Sequence, residues 1–391
     1  MVNWGHAPGA YLKMIYLDNN ATTALAPGVA EAMSEVLIHA YGNPSSAHVA
    51  GAKAKTYLDE ARVDVATLLG SGNEKEIVFT SGGTESDNWA ILGALESNPE
   101  KRHIVTTRVE HEAVRKVCEK LERGGYEVTW LEVDELGRLD LDQLRASLRR
   151  DTAVASVMMA NNETGVLFPV GEIAEIVKSN SDALFHVDGV NAAGKIPIDL
   201  KQTSIDLFSI SAHKFHGPKG IGALYVREGV SLPAFLIGGG QEHGRRAGTE
   251  AVHQTAGIGE AAGYVSDISG MAKVGILRDM LEERILAEVQ DAYINGDREN
   301  RLPNTTNISF DGVNGEMLLH ALDRFGICVS TGSACHSGSH TSSPVLQAMN
   351  VKYSRAMGSI RFSLSRFNRA EEIEIAVEAV ISEVAKLRTI S

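Results

Sequence analysis

Lys214 stands where an apolar run of β-formers, Asp206–Ile210 (DLFSI), gives way to Ser211-Ala212-His213-Lys214 and the turn Phe215-His216-Gly217-Pro218-Lys219-Gly220. A lysine at the carboxyl end of a buried parallel strand lies on the edge where open α/β sheets bind their ligands. Partial desolvation there makes an amine nucleophilic, as a Schiff-base lysine must be. An arbitrary lysine in such a place is ordinarily a solvated loop residue, so the segment needs company. Phe185-His186-Val187-Asp188-Gly189 supplies some, because Asp188 also closes a strand. A carboxylate there can keep a pyridine nitrogen protonated, which lets the ring act as an electron sink; the plainer reading is an Asp opening a turn.

Two more segments carry the same kind of signal. Thr80-Ser81-Gly82-Gly83-Thr84-Glu85 follows the strand-like EIVFT and opens a helix. Small residues at a helix N-terminus expose N–H groups and the positive dipole end to a phosphate, although Thr or Ser could simply cap the helix. Glu110-His111-Glu112-Ala113-Val114 follows HIVTT, and His111 can stack on a flat ring or move a proton. No HExxH spacing follows, so no metal site is expected. Each signal is weak alone. All four lie just past a predicted strand, which places them on one edge of one sheet.

The elements that must position them alternate. Strand candidates are Glu76–Thr80, His103–Thr107, Tyr126–Leu131, Ala153–Met159, Ala183–Val187, Asp206–Ile210 and Ile221–Val226. Helical patterns Thr84–Glu96, Glu112–Arg123, Leu141–Arg149 and Val170–Lys178 lie between most of them. This alternation predicts an α/β domain with a mostly parallel central sheet and right-handed crossovers. Beyond residue 257 a long helical stretch, Gly257–Ala292, leads into a smaller α+β domain that ends in the helix Glu371–Leu387. The expected division is therefore a large domain over 15–257 and a small domain over 1–14 and 258–391.

Composition narrows the class. The chain has 391 residues and a net charge of −13, which argues against nucleic-acid or membrane-surface binding. Apolar runs are strand-length and no basic-then-apolar leader is visible, so a cytoplasmic protein is expected. Three cysteines (Cys118, Cys328 and Cys335) without a CxxC pair argue against a disulfide framework or a structural zinc site. Cys335 lies in Ser330–Ser343, STGSACHSGSHTSS, which holds no large apolar side chain. That composition predicts an exposed loop, and an exposed thiol is a liability unless it is used.

With these residues in view, the chain resembles the cysteine desulfurases of the NifS/IscS group within the fold-type I pyridoxal-phosphate (PLP) enzymes. The resemblance runs from Ile15 (IYLDNNATT) through YGNPSSAH, SGGTESDNW, VEHEAV, ANNETG, HVDGVNAAGK, SAHKFHGPKGIGALYVR, GRRAGTEAVHQ, STGSACHSGS and SIRFSLSRFN. It implies PLP on Lys214, with Asp188 at the ring nitrogen and His111 stacked on the ring and serving in proton transfer. Gly83, Thr84, Ser211 and His213 would surround the phosphate, with Thr249 reaching in from the second subunit of a homodimer. Asn162 would lie beside the cofactor, Arg361 would clamp the carboxylate of an L-cysteine substrate, and Cys335 would be the nucleophile. The implied products are alanine and a persulfide on Cys335, passed to a sulfur acceptor such as an iron–sulfur scaffold protein. A selenocysteine lyase or a PLP aminotransferase would share Lys214 and Asp188, and an aminotransferase would have no use for the cysteine. The family usually has Asp-Ala-x-Gln where this chain has Asp188-Gly189-Val190-Asn191. That Gln meets the cofactor's phenolic oxygen; Asn191 is one methylene shorter, so weaker tuning of the Schiff base is expected.

Overall fold

The computed structural model of the chain describes residues 14–331 and 342–390. After a short strand β1 (Ile15–Tyr16) come two helices, α1 (Val29–His39) and α2 (Val49–Leu68). The chain then lays down a central sheet: β2 (Ile77–Thr80), β3 (His103–Thr107), β4 (Glu127–Leu131), β5 (Thr152–Ser156), β6 (Leu184–Asp188), β7 (Leu207–Ser211) and β8 (Gly222–Val226). The seven strands run in the order β2-β8-β7-β6-β5-β3-β4. Pairing is parallel from β7 to β4, and β8 alone runs antiparallel to both its neighbours. Every residue of β2, β3, β5, β7 and β8 is buried, which is why these runs read as apolar throughout rather than alternating.

Crossover helices α3 (Gly83–Ser97), α4 (Glu112–Arg123), α5 (Leu141–Ser147) and α6 (Val170–Asn180) connect the strands. Because β2 and β7 both oppose β8, the carboxyl ends of β2, β3, β6 and β7 share one sheet edge. The four candidate segments therefore do meet there, as the strand-end argument predicts.

The expected helix Gly257–Ala292 is two helices, α7 (Val252–Ser266) and α8 (Gly270–Glu288). The break falls at Asp267, whose carboxylate accepts the Ser269 N–H at 2.9 Å instead of letting the ladder continue. The two halves also serve different cores. Ile258, Ala261, Ala262 and Val265 of α7 join the large apolar cluster beneath the central sheet. From Met271 onward α8 packs in a second cluster with β1, β10 (Thr305–Phe310), α9 (Gly315–Asp323), β12 (Ser359–Ser363) and α12 (Ala370–Ile390). There, β10 lies between β12 and β9 (Ala292–Ile294), and β11 (Ile327–Cys328) pairs in parallel with β1. Short helices α10 (Pro344–Ala348) and α11 (Tyr353–Met357) lead into β12.

Candidate active site

Lys214 sits one turn past β7, and its Nζ donates to the Asn20 carbonyl at 2.5 Å and the Ala21 carbonyl at 3.2 Å. The N-terminal LDNNATT segment thus lies against the lysine, held by Thr23, whose N–H and hydroxyl both donate to the His213 carbonyl. A cavity of about 220 Å³ opens here, lined by Gly83, Thr84, His111, Asn162, Asp188, Asn191, Ser211, His213 and Lys214. Nine residues picked from the sequence therefore share one cavity, with Asp87 as an acidic neighbour not foreseen.

Asp188 ends β6 and is buried, its Oδ1 accepting the Val190 N–H at 2.9 Å. Burial, then the nearby Asp87 carboxyl, pushes its pKa up to about 6. A cation entering the cavity against Asp188 would offset that cost. At the other end, Gly82 has φ 151°, a region open to glycine, and α3 begins with no side-chain cap on its N–H groups. A Cβ on Gly83 would lie 2.6 Å from a Val190 methyl, so the cradle is as narrow as its residues permit. Uncapped N–H groups, the Thr84 and Ser211 hydroxyls and the buried Asp188 carboxyl at the far side fit a flat ring that carries a phosphate and a basic nitrogen.

His111 caps α4, its Nδ1 accepting the Ala113 N–H at 3.2 Å. That bond fixes the neutral tautomer with the proton on Nε2. Burial depresses the imidazole pKa, so the neutral form prevails. His213 is likewise neutral, with burial and then the Lys214 charge lowering it to about 4.

A second cavity, of about 410 Å³, shares His111, Asn162 and Lys214 with the first and adds Arg361, Asp18 and Glu163. Arg361 donates to Asp18 Oδ1 at 2.7 Å and to the Asn162 carbonyl at 3.0 Å, while its buried Nε–H has no partner among the described residues. Ser330, Thr331, Pro344 and Val345 line the same cavity. They flank the segment that carries Cys335; Cys335 itself lies outside the described residues.

The expectation that Ser330–Ser343 is exposed throughout fails at its ends, because Ser330, Thr331, Ser342 and Ser343 are all buried. Polar contacts replace the missing apolar anchors. Ser330 and Arg361 exchange backbone hydrogen bonds at 2.7 and 3.2 Å. The Ser343 hydroxyl donates to Glu163 at 2.5 Å and caps α10 by accepting the Val345 and Leu346 N–H groups. Burial, opposed by that bond, raises Glu163 to about 7. Glu163 belongs to the ANNETG segment, and only its burial tells it from an ordinary surface acid. Thr249, by contrast, does not line the cavity of its own chain. It lines a separate cavity with Glu242 and Arg246. There, the Arg62 guanidinium grips Glu242 through two bonds of 2.8 Å.

Gly189 has a structural reason. A Cβ there would fall 1.9 Å from Cζ of Phe208, whose ring fills the space in β7. Gly189→Ala should lower the unfolding free energy by about 2 kcal/mol through overpacking, and adding Phe208→Leu should recover most of it in urea titrations. Glu110 gives a pH signature. Its Oε1 accepts Thr107 Oγ and the Met158 N–H, its Oε2 has no partner among the described residues, and burial raises its pKa from 4.5 to about 8. In that window the folded carboxyl keeps a proton that the unfolded one has lost, so stability must fall as pH rises from 4.5 to about 8. The urea midpoint of the ligand-free protein should decline across this range, and Glu110→Gln should flatten the decline.

The family model described as aminotransferase class-V matches residues 15–375. Over 382 residues the chain is 52% identical to a cysteine desulfurase of Nostoc sp. strain PCC 7120, covering 97% of this chain and 95% of that protein. Among solved structures, a NifS-like protein superposes with a TM-score of 0.90 at 37% identity, covering 96% of this chain and 100% of the other. The structure titled SspA in complex with cysteine gives 0.80 at 33% identity, over 90% and 99% of the two chains. One sheet edge gathers the candidate residues, and the whole architecture has close relatives. On both grounds the chain belongs to the aminotransferase class-V family.

Proposed function

We propose that this chain is a cysteine desulfurase that uses pyridoxal phosphate, takes the sulfur of L-cysteine onto Cys335 and passes it to an acceptor protein. The observation that carries this reading is the pair of adjoining cavities. One holds Lys214, Asp188 and the uncapped start of α3; the other holds Arg361 and both roots of the Cys335 segment. The likeness to a desulfurase matched over 95% of its length and to a protein solved with cysteine supports the substrate.

When bound, pyridoxal phosphate supplies an aldehyde for an amine and a ring that accommodates carbanion charge. Lys214 would hold it, Asp188 would keep its ring nitrogen protonated, and Thr84, Ser211, His213 and the N–H groups of α3 would take its phosphate. Arg361 has a buried Nε–H to give to a substrate carboxylate, a pairing for which the guanidinium fork is suited. His111 presents its Nε2 proton between the two cavities, where a proton must move on or off substrate carbon. The sulfur step is balanced: the Cys335 thiol plus cysteine give a Cys335 persulfide plus alanine, one S–S bond forming as the Cβ–S bond breaks. The two described thiols offer no substitute, since burial raises Cys118 to about 12 and raises Cys328 as well.

A homodimer is part of the proposal. Leu37 and Ile38 of α1, Tyr41, Val49 and Ile237 are exposed large apolar residues of the kind that interfaces cover. Thr249 also stands outside its own chain's cofactor cavity, free to serve the second subunit. No described helix is long and apolar enough to cross a membrane.

The test uses the purified chain with pyridoxal phosphate, L-cysteine and a reductant. Alanine and sulfide should form in equal amounts, and Cys335→Ser should lose at least a hundredfold in turnover while keeping the bound cofactor's colour. A colourless protein that cannot be reconstituted, or a Cys335→Ser variant with full turnover, would contradict the reading.

A further inference from the structure

Lys195 is a second buried amine beside the site, and the reaction above gives it no task. It lies on the turn after β6 and is 7% exposed. Its Nζ donates to Asn191 Oδ1 at 2.8 Å, to the Asn191 carbonyl at 2.9 Å and to Asn20 Oδ1 at 3.2 Å. All three acceptors are neutral amide oxygens. Burial, then the charges of Lys214 and Arg361, hold its pKa well below the ordinary lysine value. Burying such a side chain is costly, and the contacts it makes show what it accomplishes.

The outcome concerns Asn191, which lines the cofactor cavity. A side-chain amide has two unlike ends, and the surrounding hydrogen bonds decide which way it points. With Lys195 donating to it, Oδ1 must turn toward the lysine. The NH2 end then carries one hydrogen toward the Asn161 carbonyl at 3.4 Å and has a second to offer. Asn20, the other partner of Lys195, has its backbone carbonyl on Lys214 and its amide NH2 on the Asn162 carbonyl. The lysine thus ties the two sides of the cavity together.

We propose that Lys195 is a positioning residue: it locks the Asn191 amide so that its NH2 group is presented to the ring oxygen of pyridoxal phosphate bound on Lys214. This rests on the cofactor reading above. An N–H donor stabilises the ring oxygen as an anion and so makes the cofactor–lysine linkage easier to deprotonate. Withdrawing the donor must therefore raise the pH at which the bound cofactor's visible absorption changes. Asp87, His111, Asp188, His213 and Lys214 face the same cavity and Arg361 the adjoining one, and all are kept in the variants below.

The experiment titrates that absorption in the reconstituted holoenzyme. Lys195→Met should raise the midpoint by about 1 pH unit, the scale of one hydrogen bond. Lys195→Gln, which retains a donor, should move it less than half as far. Asn191→Ala alone should give the same rise as Lys195→Met, and the double variant should show no additional shift. If Lys195→Met and Lys195→Gln move the midpoint equally, and add in full to Asn191→Ala, the lysine acts by charge and the proposal falls. It falls equally if Asn191→Ala leaves the midpoint unmoved, a result that does not depend on whether Lys195→Met folds. A wild-type protein that binds no pyridoxal phosphate would instead refute the proposed function.

Discussion

A carboxylate sealed at the end of a strand costs free energy unless a cation meets it, and Asp188 is such a carboxylate. It is buried, it sits beside another buried acid, Asp87, and it accepts a hydrogen bond from the Val190 backbone N–H. The fold does nothing to relieve it by moving it outward. Instead, β6 ends there, the turn at Gly189 packs tightly under Phe208, and the cavity opens on the carboxylate. A cation entering the cavity would relieve that cost, and under the proposed function the protonated ring nitrogen would be that cation.

The same logic orders the surroundings. The acids Asp87, Glu110 and Glu163 are pushed by burial toward their neutral forms. The basic groups Lys195, Lys214 and Arg361 donate to neutral oxygens of Asn20, Asn162 and Asn191. Arg361 keeps Asp18 as its carboxylate partner, and its Nε–H has no partner among the described residues. The roots of the Cys335 segment are tied into this arrangement, Ser330 through the backbone of Arg361 and Ser343 through Glu163.

Much of this was legible in the sequence because it depends on strand ends. Lys214, Asp188, Gly83 and His111 each follow an apolar run, and a parallel sheet brings such ends to one edge whatever the intervening lengths. Residues whose roles arise from tertiary burial left no such mark. Asp87 and Lys195 look like ordinary helix and turn residues, Glu163 differs from a surface acid only in being covered, and the Asp18–Arg361 pair joins positions 343 residues apart. Helix α2 leaves a faint signal in the sequence, since it has only weak amphipathic patterning and its small residues pack closely against α7. The break within Gly257–Ala292 leaves no mark in the periodicity, because it comes from a side chain at Asp267 that competes with the backbone, a local event. Gly189 looked like a departure from its family, and only the position of Phe208 explains it.

The central claim is that Asp188 waits for a cation that the cofactor ring brings. Carbon NMR of aspartate-labelled protein, assigned with Asp188→Asn, measures that carboxyl's titration directly. The midpoint should lie near 6 in the ligand-free protein and drop below the ordinary carboxylate value of 3.8 once pyridoxal phosphate is bound. A midpoint that stays in place when the cofactor binds would contradict the account.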